Sequence, residues 1–111
     1  MLESSLSFPA GFYVRIGNER SQAAEMTLQP GESEGGPDNR HPGSDQWLFV
    51  VSGRGVATVD GHTCRLRRGQ LLLIERGQAH EIRCLGRSPL RTLNIYMPPA
   101  YDSSGNSRPA P

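Results

Sequence analysis

Short apolar or alternating runs recur along the chain roughly every eight to twelve residues, with glycine-containing turns between them. That rhythm predicts strands layered into a sandwich or barrel. The runs are FYVRI (12–16), AAEMTL (23–28), WLFVV (47–51), VATV (56–59), TCRL (63–66), LLLI (71–74), HEIRCL (80–85) and RTLNIYM (91–97), about eight strands in all. Asp60-Gly61 is the strongest hairpin signal, because both residues tolerate the positive φ of a type I′ turn. Gly53-Arg54-Gly55 and Arg68-Gly69 mark two more turns. No run keeps a helical period over a useful length; AAEMTL fits either period and is read as a strand.

WLFVV and LLLI are apolar at every position, so both of their faces need cover. One face lines the interior. A chain this small has little material left for the other, which makes a homodimer the expected arrangement. Residues 1–10 and 101–111 are mostly polar and offer little burial against their ordering entropy. They are expected to be a partly disordered arm and a flexible tail around a barrel domain spanning 11–100. The longest interruption, residues 30–45, is rich in Gly, Pro and charge, and a loop of that length in a compact domain is commonly functional.

At 111 residues the chain provides one domain. Its 13 Gly and 9 Pro, with 35% hydrophobic residues, suit a turn-rich all-β protein better than a helical bundle. Net charge is +1 and the arginines are scattered, so no patch points to nucleic acid or an anionic membrane. All 12 basic side chains are Arg; without Lys, Schiff-base chemistry and a Walker-type phosphate loop are excluded. The N-terminal stretch has no basic segment followed by an unbroken apolar one, and no run reaches membrane-spanning length, so a cytoplasmic location is expected. Cys64 and Cys84 are too few for a disulfide scaffold and are read as small core residues.

The residues that could carry chemistry are His41, Gln46 and His80, with Asn39 beside them. Two histidines near strand starts, flanked by oxygen donors, could converge on one divalent ion at a barrel mouth. His62, at a hairpin tip, is read as a solvated residue. Tyr13, Tyr96 and Trp47 could line a pocket, although strand aromatics are ordinarily core or interface material.

The spacings go further. Asn39-Arg40-His41-Pro42-Gly43-Ser44-Asp45-Gln46 falls on a segment of the form H-x-H-x4-E, with six residues between Gln46 and Gly53. A second stretch runs Gly69-x5-Glu75-Arg76-Gly77-x2-His80-x3-Cys84. In these two glycine-anchored motifs the sequence, over about residues 22–100, resembles the cupin superfamily, specifically the small single-domain cupins. The resemblance implies an all-β double-stranded β-helix, or jelly-roll barrel, of about eight or more strands. It also implies a divalent metal held by three histidines and a glutamate.

Carried over by position, His41 and His80 match two of those histidines. Asn39 stands in place of the third, and Gln46 in place of the glutamate. The set becomes two imidazoles and two amides, neutral throughout, which weakens the hold on a cation. Asp45 could supply charge only if the strand starts after it, since alternation otherwise turns it away from Gln46. Cys84 shares a face with His80 but lies about 13 Å along the strand, which suits core packing. Zn, Fe, Mn and Ni all suit such donors.

Three functions follow as expectations. The first is a metal-dependent enzyme on a small molecule, with dioxygenase- or isomerase-like chemistry. The second is a small-molecule binding or sensing module with a weak metal or none. The third is an interaction protein with a vestigial pocket, for which no residue speaks.

Overall fold

The computed structural model describes residues 1–36, 41–102 and 104–107. Among them are nine strands and no helix: β1 (Gly11–Gly17), β2 (Gln22–Leu28), β3 (Ser33–Gly36), β4 (Asp45–Ser52), β5 (Arg54–Val59), β6 (His62–Arg67), β7 (Leu71–Ile74), β8 (His80–Leu85) and β9 (Leu90–Met97). Hence no helix of the described residues is long and apolar enough to cross a membrane.

The strands form two antiparallel sheets, ordered β1-β2-β9-β4-β7 and β3-β8-β5-β6. The jelly roll is therefore two facing sheets rather than one closed ring. Each run read from the sequence is a strand, and the additional one, β3, lies inside the long interruption. Its sequence SEGG has little strand propensity of its own. Antiparallel pairing with β8, Glu34 opposite Ile82 and Gly36 opposite His80, makes it a strand.

Inward positions of both sheets meet in one core. Met26, Leu28, Leu48, Val50 and Leu90 of the first sheet pack against Ala57, Leu66, Ile82 and Cys84 of the second. Cys84 is fully buried there and its thiol donates to the Ser88 carbonyl at 3.3 Å, so it is core material at the end away from the histidines. Both cysteines are free thiols. The Asp60-Gly61 turn has φ of 46° and 83° and closes the β5–β6 hairpin on the Val59–His62 pair, as its residues require.

Outside the first sheet the pattern differs. Trp47 lies between Leu73 and Ile95, and Phe49 between Leu71 and Leu93, so two rows of apolar side chains cross β7, β4 and β9. Leu71 is 57% exposed, Leu73 44% and Phe49 39%. The unbroken apolar runs thus bury one face in the core and present the other outward in a single copy. Further along the same surface, Glu25 of β2 is fully buried. Its carboxylate accepts from the Phe8 amide and from Arg15 Nε, and Thr27 donates to the Phe8 carbonyl.

Candidate functional site

The site lies between the sheets, at the end of the core where apolar residues give way to polar and aromatic ones. Alternation along β4 and β9 turns Gln46, Asn94 and Tyr96 inward, and each is almost fully buried. His80 enters from the first position of β8. His41 precedes β4 in a loop and needs a tether, which the β7–β8 turn supplies: the Gly77 amide donates to the His41 carbonyl at 3.1 Å. The Gln78 side chain closes that turn by accepting from the Glu75 amide. The turn thus keeps its shape through a side-chain hydrogen bond.

The His41 and His80 rings lie 5.2 Å apart between centroids, tilted by 43°. Two residues separated by 39 positions in the chain share one cavity. Its lining also includes Phe12, Met26, Glu34, Gln46, Ile82, Asn94, Tyr96 and Tyr101. The space open to the centre of a water-sized sphere is about 10 Å³, room for one water or one ion.

Burial sets the protonation states. It lowers His41 to about 4, helped by neighbouring His80, so the ring is a neutral acceptor at pH 7. Burial also lowers His80, while the Gln78 carbonyl and Asp60 oppose the shift. His80 Nδ1 lies 3.2 Å from that carbonyl. The neutral ring donates through Nδ1, which puts its lone pair on Nε2. Burial pushes Tyr101 up to about 12 and Tyr96 well above its ordinary range, so both hydroxyls stay protonated. The Tyr101 hydroxyl shares a hydrogen bond with His41 Nε2, at 3.2 Å.

Gln46 is the unusual member. Its Nε2 donates to Asn94 Oδ1 at 3.4 Å, and the Asn94 amide donates in turn to Thr92 Oγ1 at 3.3 Å. Its Oε1 is buried with no hydrogen-bond partner among the described residues. A buried amide oxygen left unpaired costs about 1–3 kcal/mol, and such an atom in a cavity wall is suited to accept from a ligand or to coordinate an ion.

Of the four metal donors read from the sequence, the fold brings His41, His80 and Gln46 to one cavity. Asn39 lies outside the described residues. Asp45 belongs to β4 and faces away, accepting from the Arg76 amide at 2.9 Å and from Arg76 Nε at 3.4 Å. Glu81 likewise stays outside, 3.8 Å from Arg83. Sequence reasoning missed Glu34 and Tyr101. Glu34 is a wall residue because β3 pairs with β8, which a run of SEGG does not announce. Tyr101 follows the last strand and reaches the site only because Gln22 of β2 clips its backbone, accepting from its amide at 3.1 Å and donating to its carbonyl at 2.8 Å.

With the jelly roll and its inward histidines in view, comparison with known proteins is informative. Residues 24–96 match the cupin domain family, about two thirds of the chain. The chain belongs to the cupin family. This cupin is 35% identical over 78 residues to the tetracenomycin polyketide synthase protein TcmJ of Streptomyces glaucescens, covering 70% of the chain and 51% of that relative. It thus spans about half the length of TcmJ. It is 30% identical over 100 residues to the uncharacterized protein SCO3923 of Streptomyces coelicolor, covering 88% of the chain and 90% of that relative. Among solved structures, BH2720 from Bacillus halodurans superposes with a TM-score of 0.78 at 25% identity, over 89% of this cupin and 76% of that chain.

Proposed function

We propose that this cupin holds a divalent metal between His41, His80 and Gln46 Oε1 and binds or transforms a small molecule there. The observation that carries the proposal is the orphaned Gln46 oxygen, buried in the wall that also presents two neutral imidazoles. The donor set fits such an ion: neutral rings are the form that coordinates, and the Gln78 carbonyl orients His80 as the second layer of a metal site does. Asn39 is retained as a fourth donor from its motif position alone. A bound metal would supply Lewis-acid polarisation or a site for dioxygen, the basis of isomerase- and dioxygenase-like chemistry. Tyr101 orients His41 through its hydrogen bond to Nε2, while Phe12, Met26 and Ile82 keep bulk water out. A cytoplasmic setting is part of the same reading.

Metal analysis of tag-free protein tests it. We expect a stoichiometric Zn, Fe, Mn or Ni in the wild type and none in the His41→Ala, His80→Ala double variant. Adding the preferred metal at a hundred times its Kd should raise wild-type stability by about 2.7 kcal/mol. Restoring an anionic donor with Gln46→Glu should tighten the metal about ten-fold or more. Metal-free protein whose melting temperature ignores all four ions overturns the proposal. That result supports the second reading, a metal-free binding or sensing cupin. One observation favours it: among the described residues, no group of three His, Cys, Asp or Glu side chains is placed to hold a metal.

The outer rows Leu73–Trp47–Ile95 and Leu71–Phe49–Leu93 carry no charge, so a second copy can approach them without like-charge repulsion. We propose the homodimer across this face. Light scattering should give twice the chain mass for the wild type and a single chain mass for Phe49→Glu with Leu73→Glu. A wild-type monomer at micromolar concentration overturns it.

A further inference from the structure

Tyr101 fills the room a ligand would need. Its ring stands 4.9 Å from Phe12, 5.1 Å from Tyr96 and 5.3 Å from His41, and its hydroxyl is hydrogen-bonded to His41 Nε2. The cavity beside it has space for one water or one ion, so no organic molecule fits against His41 there while the ring is in place. We infer that the Tyr101 ring occupies the seat of the cupin's own ligand: a small planar molecule with a phenol-type hydroxyl displaces it and takes over its hydrogen bond with His41 Nε2. This rests on the reading that the cavity takes a small molecule, and it names the class.

The surroundings favour that class over others. Three aromatic rings face the seat, and they stack against a planar ligand in the edge and tilted arrangements that Tyr101 already shows. No Arg lines the cavity among the described residues, and its acidic wall residue is Glu34. A carboxylate or phosphate ligand would find no cationic side chain there, whereas a neutral hydroxyl, able to donate or accept, finds the imidazole nitrogen that Tyr101 now uses.

Tyr101 can leave without unravelling either sheet. It lies beyond β9, and besides its own ring contacts it is held by Gln22 and by an isolated bridge to Ser107. Gln22 Oε1 accepts from the Ala100 and Tyr101 amides at 3.2 and 3.1 Å, and Nε2 donates to the Tyr101 carbonyl at 2.8 Å. Opening thus breaks these few hydrogen bonds and no strand pairing within either sheet. The closed fraction then weakens apparent ligand affinity in proportion.

Titration with phenol, using toluene as the comparison, tests this by NMR and calorimetry on the full chain. Saturating phenol should move the Tyr101 ring resonances of the wild type to the positions of an exposed tyrosine. Tyr101→Ala should bind phenol about ten-fold or more tighter than the wild type, with phenol preferred over toluene. Gln22→Ala keeps the tyrosine and loses the clip; it should fall between the two, and it decides the matter if Tyr101→Ala does not fold. Tyr101 resonances that stay in place, equal affinity for phenol and toluene, or a Gln22→Ala variant that binds like the wild type each overturn the inference. Metal uptake without phenol binding would sink this inference alone. Phenol binding by protein that takes up none of the four added ions would sink the metal reading alone.

Discussion

Gly53→Ala should cost about 3–4 kcal/mol of folding stability and in a marginal background unfold the protein, read as a shifted urea midpoint with an unchanged slope. Gly53 joins β4 to β5, where the chain leaves one sheet for the other, and it adopts φ of 87°. A Cβ there would sit 2.2 Å from the Pro89 carbonyl oxygen and 2.8 Å from the Leu90 Cα. Both are backbone atoms at the entry to β9, so no rotamer change relieves the contact. Left-handed strain adds about 1–2 kcal/mol for any residue with a side chain, and the overlap adds about 1–3 kcal/mol more. Gly61→Ala is the internal control: φ is 83°, yet nothing lies within 4 Å of the new methyl, so strain acts alone and the loss should be about 1 kcal/mol. Equal losses at the two positions would show that the approach of residues 89 and 90 is not what demands glycine.

Acidification from pH 7 to about 4 should remove about 3 kcal/mol from chelator-treated protein through His41 alone, measured as the urea unfolding free energy at each pH. The sign follows from the direction of the shift. His41 ordinarily titrates at 6.5 and is lowered to about 4 in the fold, first by burial and then by His80. Between those values the unfolded chain binds the proton and the native state does not, so stability falls as pH falls. Above 6.5 the imidazole is neutral in both states and the contribution is fully present. His80 is shifted the same way by burial and adds to the slope. Asp45 acts elsewhere: its partners on Arg76 hold it below its ordinary 3.8, so its contribution is lost only in more acidic solution. His41→Gln should flatten the profile between pH 4 and 6.5 by the larger share. A variant as acid-sensitive as the wild type would place the effect on other groups.

These two results probe parts of the molecule that differ in how far the sequence reveals them. Gly53 stands out in the chain as a motif glycine in a turn, but its collision partner Pro89 is 36 positions away and only the fold supplies it. The two histidines were legible as members of spaced motifs. Their 5.2 Å separation, and hence the lowering of His41 by His80, was not.

The sequence by itself determined the strand runs, the Asp60-Gly61 hairpin, the all-β class and the inward face of β4, because turn geometry and side-chain alternation act over a few consecutive residues. It also exposed the replacement of a charged donor by Gln46. Tertiary structure alone decided that SEGG becomes β3, that Glu34 thereby joins the cavity wall, that Asp45 turns to Arg76, and that Tyr101 reaches His41 from 60 positions away. Each of these depends on which strands pair and in what register. Register is a property of the whole packed arrangement, and no short stretch of chain carries it.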